Sequence, residues 1–521
     1  YWVVVDSRTV TPSAGLNGGF TGGDVWAEQT YGSGDAVTFN GVSYQFAGAP
    51  GTVLGGLNRT TVSDNAAAGL ASSEHVHRVI LNGVDQTGID SGFSFNAITR
   101  TGDGDDDGSN NRTVQGSLRQ FVENANATSG TNSTHFQLAT SDVNYSAGTT
   151  SWTFTPTSTL PSITDTIVLD GTTQTGFSGT PIIELNGTSA GAGADGVYLA
   201  MGSSGSTIRG LVINRFLDNG IEVNLSDNNL FAGNYIGTDV TGLVDLGNGN
   251  RGIKFDFADG NTIGGTTTAD RNVISGNADA GIHFGNGSIN NFVIGNYVGV
   301  GADGSTALGN DAAGVTIGQS ATGVRVGGTV PGEGNVVANN LGDGIRVFAT
   351  AAASNPILGN SIHANGGIGI ELGADGVTLN DAGDPDTGPN DLQNFPVLGG
   401  ATTNGSTISI VGSLNSTAST TYRVEFFASV SADGSGYGEA ERYLGFANVA
   451  TDGSGNATIN TTLASVVAAG EFITATATNL TTNNTSEFAL AVLSAAPGVT
   501  VSAISGNTTE AGGTATFTVV L

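Results

Sequence analysis

Between about Ser206 and Leu372 the chain repeats itself, and the period of the repeat restricts the fold more than any other feature. A glycine followed by an apolar–x–apolar triplet recurs six times: Gly220-Ile-Glu-Val, Gly252-Ile-Lys-Phe, Gly281-Ile-His-Phe, Gly314-Val-Thr-Ile, Gly344-Ile-Arg-Val and Gly367-Ile-Gly-Ile. Successive glycines lie 32, 29, 33, 30 and 23 residues apart. A second series, Asn–x–Ile or Asn–x–Val, begins at Asn234, Asn272, Asn296, Asn335 and Asn360 with spacings of 38, 24, 39 and 25. The better repeat is therefore a pair of turns, 62 to 64 residues long. Self-similarity at this period specifies a solenoid, in which each turn buries its apolar face against the next.

The triplets place alternate residues inward, as strands do. Stacked interior rows are thus expected from Ile221/Val223, Ile253/Phe255, Ile282/Phe284, Val315/Ile317, Ile345/Val347 and Ile368/Ile370. The asparagines mark corners, where stacked amides can hydrogen-bond from coil to coil. The fold class is all-β: a right-handed parallel β-helix flanked by β-sandwich domains. The text around Asn234-Tyr-Ile-Gly-Thr-Asp239 and Arg271-Asn-Val-Ile-Ser-Gly-Asn277 resembles repeats of secreted bacterial β-helix proteins.

Before the repeats, residues 1–98 alternate apolar and polar positions between Gly, Asn and Asp turns, as in an incomplete β-sandwich. Trp26-Ala-Glu-Gln-Thr-Tyr31, Ser73-Glu-His-Val76 and Asp90-Ser-Gly-Phe-Ser-Phe-Asn96 resemble the prealbumin-like B-type repeats of large bacterial surface proteins. An acidic loop and a helix follow in 99–160. Ser117 with Gln120 makes a capping box, and Leu118, Phe121, Val122 and Ala125 share one face. A solenoid end exposes unpaired strand edges, so this helix is expected to cap the N-terminal end. The segment Gly116-Ser-Leu-Arg-Gln-Phe121 is similar to the one that precedes many bacterial β-helices. The β-helix is placed at 161–391. Strand runs with turn signals every 10 to 15 residues then make an Ig-like β-sandwich at 392–494. Residues 495–521 resemble the opening of a Calx-β-like repeat. Both ends of the chain look like the interior of β-domains, which suggests an excerpt of a longer polypeptide or terminal strands completed by neighbouring chains.

Composition narrows the partners. Fifteen basic against 45 acidic residues give a net charge of −30, and Lys254 is the sole lysine. Such a surface repels phosphate backbones and anionic membranes, so a nucleic-acid partner is not expected. No apolar run reaches the ~18 residues of a membrane span. The absence of cysteine suits an extracellular bacterial location, at the cell surface.

Two oxygen-rich loops suit Ca²⁺ as a structural cofactor. Asp103, Asp105 and Asp107 follow the start of an EF-hand loop, although Val114 stands where a bidentate Glu belongs. Asp381, Asp384, Asp386, Asn390 and Asp391 form the second, at a domain junction. For catalysis, the outward column reads Glu222, Lys254, His283, Thr316, Arg346, Gly369, and its neighbour Asn224, Asp256, Gly285, Gly318, Phe348, Glu371. Neither stacks two carboxylates on adjacent coils. Asp256, Asp259 and His283 are the catalytic candidates, set against solvated ladder pairs such as Glu222 with Lys254. With no carboxylate column, the expectation is a non-enzymatic structural or adhesive protein. It would be a rigid segment of a giant surface protein, or a fibre subunit self-associating head-to-tail by strand complementation. The alternative is a polysaccharide lyase or glycoside hydrolase working in the β-helix groove on an extracellular polysaccharide.

Overall fold

The computed structural model describes residues 9–31, 92–103, 116–348 and 353–498, with isolated strand segments at Trp2–Val4, Ala36–Phe39, Val42–Gln45, Val76–Arg78, Thr500–Val501 and Val519–Val520. Most of the expected prealbumin-like module, most of the Calx-β-like segment, Asp105 and Asp107 lie outside the described residues.

The chain is all-β, and its body is a right-handed parallel β-helix. Each coil adds one short strand to each of three sheets of nine, eight and seven strands. One coil contributes Thr207–Arg209, Leu211–Asn214 and Ile221–Asn224; the next contributes Leu230–Ala232, Tyr235–Ile236 and Ile253–Asp256. The parallel ladder runs from Asn132–Ser133 to Ile370–Leu372. Strands this short alternate apolar-in, polar-out, and the interior rows formed by Ile221/Val223 through Ile345/Val347 are fully buried. Phe255 and Phe284 stack along the axis, 4.9 Å apart and nearly parallel, and Phe231 from the neighbouring sheet meets Phe255 edge to face.

The last row departs from expectation. Ile370 pairs with Ile345, and Leu372 with Val347, so Ile370 and Leu372 face inward while Ile368 does not join the row. The glycine equivalent to Gly344 is Gly369, whose carbonyl accepts from Ile345 N. Gly367 lies in the turn ahead of the strand, and Glu371 rather than Gly369 stands beside Arg346.

The corner asparagines form buried ladders. Asn234, Asn272, Asn296, Asn335 and Asn360 pass side-chain hydrogen bonds of 2.9–3.1 Å from one coil to the next. Asn248, Asn277, Asn310, Asn340 and Asn365 make a second column, and Asn229, Asn261 and Asn291 a third. Each Oδ1 also accepts a backbone N–H from the preceding coil, as Asn296 Oδ1 does from Asn272 N. These bonds satisfy corner amides that no strand partner reaches.

Both solenoid ends are covered. The helix Leu118–Ala127 begins at Ser117, whose Oγ accepts from Gln120 N, while Gln120 Oε1 accepts from Gly116 N. Its Leu118, Phe121 and Val122 join the same apolar core as Ile163 and Leu169. At the far end a β-sandwich of seven strands, Val397–Thr403 to Val492–Ala495, has a core of its own. It also lends Phe427, Ala440 and Phe488 to the β-helix core. Ala440 bridges Ile362 antiparallel. Three sandwich glutamates accept N–H groups left over by the final coil and its exit: Glu425 from Gly359, Glu439 from Ala364, and Glu487 from Leu372 and Thr378.

Candidate active site on the third sheet

The seven-stranded sheet displays an uninterrupted outward column: Tyr198, Glu222, Lys254, His283, Thr316, Arg346 and Glu371, each in register with the next. Parallel pairing holds neighbouring members at the interstrand spacing of about 4.8 Å. Lys254 Nζ lies 3.1 Å from Glu222 Oε1 and 2.9 Å from Asp256 Oδ2. Burial alone depresses the Lys254 ammonium, yet its hydrogen bonds to Asp256 and Glu222 carry its pKa above the ordinary lysine value.

One carboxylate oxygen each of Asp195, Asp218 and Glu222 lies within 4.8 Å of the others. Asp195 lies just ahead of Val197–Leu199 and Asp218 just ahead of Ile221–Asn224, the same corner of adjacent coils, and Glu222 points outward from the second strand. Asn219 Nδ2 ties the group together, donating to Asp195 Oδ1 at 3.0 Å and Glu222 Oε2 at 3.2 Å. Burial pushes the Asp195 carboxyl up to about 7, against the pull of Asn219 and with help from the negative charges of Glu222 and Asp218. A proton donor at neutral pH thus stands against two further carboxylates.

Of the candidates read from the sequence, Asp256 and His283 come together. Asp256 Oδ1 and His283 Nε2 converge over Gly285, each within 2.9 Å of where a Cβ would stand, so the glycine leaves them room. His283 Nδ1 is 2.6 Å from Thr316 Oγ1, and burial lowers the imidazole to about 4, leaving it neutral at physiological pH. Asp259 does not join them: its Oδ1 accepts from Ile289 N and closes a corner.

Of the carboxylates read as calcium ligands, Asp103, Asp384 and Asp391 are hydrogen-bonded within the protein. Both Asp103 oxygens are taken by Arg119 in a bidentate pair, with Thr157 N as a further donor. Asp384 accepts from Gln393, Asn394 and Ser416. Asp391 accepts from Asn484, and Asn390 bonds the Asn355 backbone. Asp386 is half-buried, and Asp381 Oδ1 is buried with no protein partner. Burial pushes Asp384 up to about 6.

Asp195 and Asp218 escape a reading based on strand columns because they belong to the corner. Aligning the triplet glycines and looking one or two residues upstream, at Asp195-Gly196 and Asp218-Asn219-Gly220, is the signal that finds them.

No protein-family model matches the chain, and no curated protein sequence is similar to it. Among solved structures, the periplasmic alginate epimerase AlgG aligns over 47% of this chain and 50% of its own, at 16% identity and a TM-score of 0.31. The chain thus spans about half the length of that protein. The enzymatically active domain of bacteriophage CBA120 tailspike protein 2 aligns over 69% and 64%, at 10% identity and a TM-score of 0.20. Tailspike gp49 of Acinetobacter baumannii bacteriophage Fri1, a capsular polysaccharide depolymerase, aligns over 70% and 78%, at 9% and 0.17. The class defined by the chain's own strand pairing is the parallel β-helix with a C-terminal β-sandwich.

Proposed function

We propose that the chain is a glycoside hydrolase whose site is the Asp195, Asp218 and Glu222 cluster on the open third-sheet face. The observation that carries this is the close approach of a carboxyl titrating near 7 to two other carboxylates. Hydrolysis of a glycosidic bond needs one carboxyl that still holds its proton and one that does not, and a short separation belongs to the double-displacement route. Asp195 gives its proton to the glycosidic oxygen as the C1–O bond breaks. Glu222, fixed on a strand by Asn219 and Lys254, takes the anomeric carbon as an ester. Asp195, now a carboxylate, removes a proton from water, and the resulting attack on C1 frees Glu222. Asp218 adds negative charge that keeps Asp195 protonated.

The test is reducing-sugar release from a panel of extracellular polysaccharides. Asp195→Asn should lower turnover by at least about a hundredfold. The wild-type rate should fall as pH rises through about 7, because the acid is then lost. Activity should survive EDTA. Loss on chelation would make the cluster a divalent-cation site instead.

The three hydrogen-bonded asparagine ladders favour a second reading, a spacer in an extracellular surface protein that need not cleave anything. The flanking resemblances to B-type and Calx-β-like repeats belong to this reading, as do adhesion and head-to-tail self-association. Light scattering across a concentration series tests the assembly; a constant monomer mass contradicts it.

A further inference from the structure

Four consecutive coils turn the corner after the third-sheet strand with a residue in the left-handed region: Leu225 at φ +55°, Phe257 at +49°, Asn286 at +45° and Gln319 at +49°. That region disfavours bulky side chains and tolerates asparagine. On the two later coils the corner residue is polar and bonded within the protein. Asn286 Nδ2 donates to Asp256 Oδ1 at 2.8 Å, and Gln319 Oε1 accepts from Asn286 N at 3.3 Å. On the two earlier coils it is an apolar side chain left in solvent, Leu225 at 50% exposure and Phe257 at 55%. Leu225 N donates to Asp256 O at 3.1 Å, yet about half of each side chain stays in water.

Leu225 follows Asn224, Phe257 follows Asp256, and Asn224 pairs with Asp256, so the two side chains mark adjacent coils. They stand at the end of the strands that carry Glu222 and Lys254. Charge on this face points to the occupant. Arg251 is paired with Asp279 at 3.0 Å, Lys254 with Glu222 and Asp256, and Arg346 with Asp343 at 2.8 Å. Each of these three cations is thus engaged by carboxylate, and the Asp195 cluster repels anions.

Resting on the hydrolase reading above, we propose that Leu225 and Phe257 form a stacking rim for pyranose rings and that the substrate is a neutral glycan, free of carboxylate and sulfate. The apolar face of an uncharged sugar covers the exposed rim, and its hydroxyls meet the acceptors of the acidic face. A uronate chain would find only neutralised cations.

Affinity electrophoresis of the whole chain through gels carrying laminarin, galactomannan, dextran, alginate or polygalacturonate tests this, alongside reducing-sugar release from the same polymers. The expected result is retardation by at least one neutral polymer and by neither uronate polymer. Phe257→Asn and Leu225→Asn should each weaken it about tenfold, with an unchanged or higher melting temperature, since asparagine suits the backbone. Opposite movement of affinity and stability is what a merely structural residue cannot produce. Retention by the uronate polymers, or variants that bind as wild type, overturns the proposal while leaving Asp195-dependent hydrolysis standing. Variants that lose stability and binding together also overturn it. If no polymer is bound or cleaved, the hydrolase reading falls and this one with it.

Discussion

Asn277 shows how much a single corner residue holds. Its Oδ1 accepts from Asn248 Nδ2 at 2.9 Å and Asn248 N at 3.3 Å, and its Nδ2 donates to Asn310 Oδ1 at 2.9 Å, all in a fully buried column. Asn277→Ala takes the acceptor from Asn248 N and from one Nδ2 hydrogen of Asn248, while Asn310 Oδ1 keeps the Asn277 N–H. Each buried orphan costs about 1–3 kcal/mol, so a loss of about 2–4 kcal/mol is expected in urea unfolding. A loss below about 1 kcal/mol would mean that water replaces the amide. The ladder residues are legible in the sequence because Asn recurs at fixed offsets from apolar residues. Asp195 and Asp218 become legible only once the coils are set in register: Val197 pairs with Ile221, so Asp195 stands beside Asn219 at the corner ahead of Glu222.

At the scale of the element, the coil corner depends on glycine where backbones nearly touch. Gly299 has φ +83°, and a Cβ there would lie 2.0 Å from Ala338 O and 2.6 Å from Asn340 Oδ1. Gly299→Ala therefore meets both left-handed strain and fixed backbone, and thermal unfolding should report a loss of about 3 kcal/mol or more. Ser117→Ala at the start of the capping helix should cost about 1 kcal/mol, since only one N–H loses its acceptor. The interior rows are readable from alternation for five of the six triplets. The sixth is misplaced by that pattern because Gly-Ile-Gly-Ile contains two glycines able to open a strand. The Phe488 ring packs over Gly369, within 2.6 Å of where a Cβ would stand, in the register that the chain adopts.

On the scale of the whole molecule, the junction between β-helix and sandwich is sealed by buried acids. Glu487 is pushed up to about 8, chiefly by burial and further by Glu371 and Asp375, against the pull of its two backbone donors. The folded state therefore holds this proton more tightly than the unfolded chain. Its contribution to stability is full below pH 4.5 and is lost as pH rises from there through about 8. Glu487→Gln should flatten that part of the stability–pH curve measured by denaturant unfolding; an unchanged slope would assign the dependence to other groups. The burial of Glu425 and Glu487 is not legible in the sequence, where they belong to a separate module.

In the proposed hydrolase, a face built by stacking coils brings an acid and a nucleophile together at Asp195 and Glu222. The most direct measurement is the pH profile of reducing-sugar release by the wild type and Asp195→Asn, on whichever polysaccharide the chain cleaves. The expected result is a wild-type rate that declines through about pH 7 and a variant with little activity at any pH. A variant that keeps the wild-type rate and profile would contradict it.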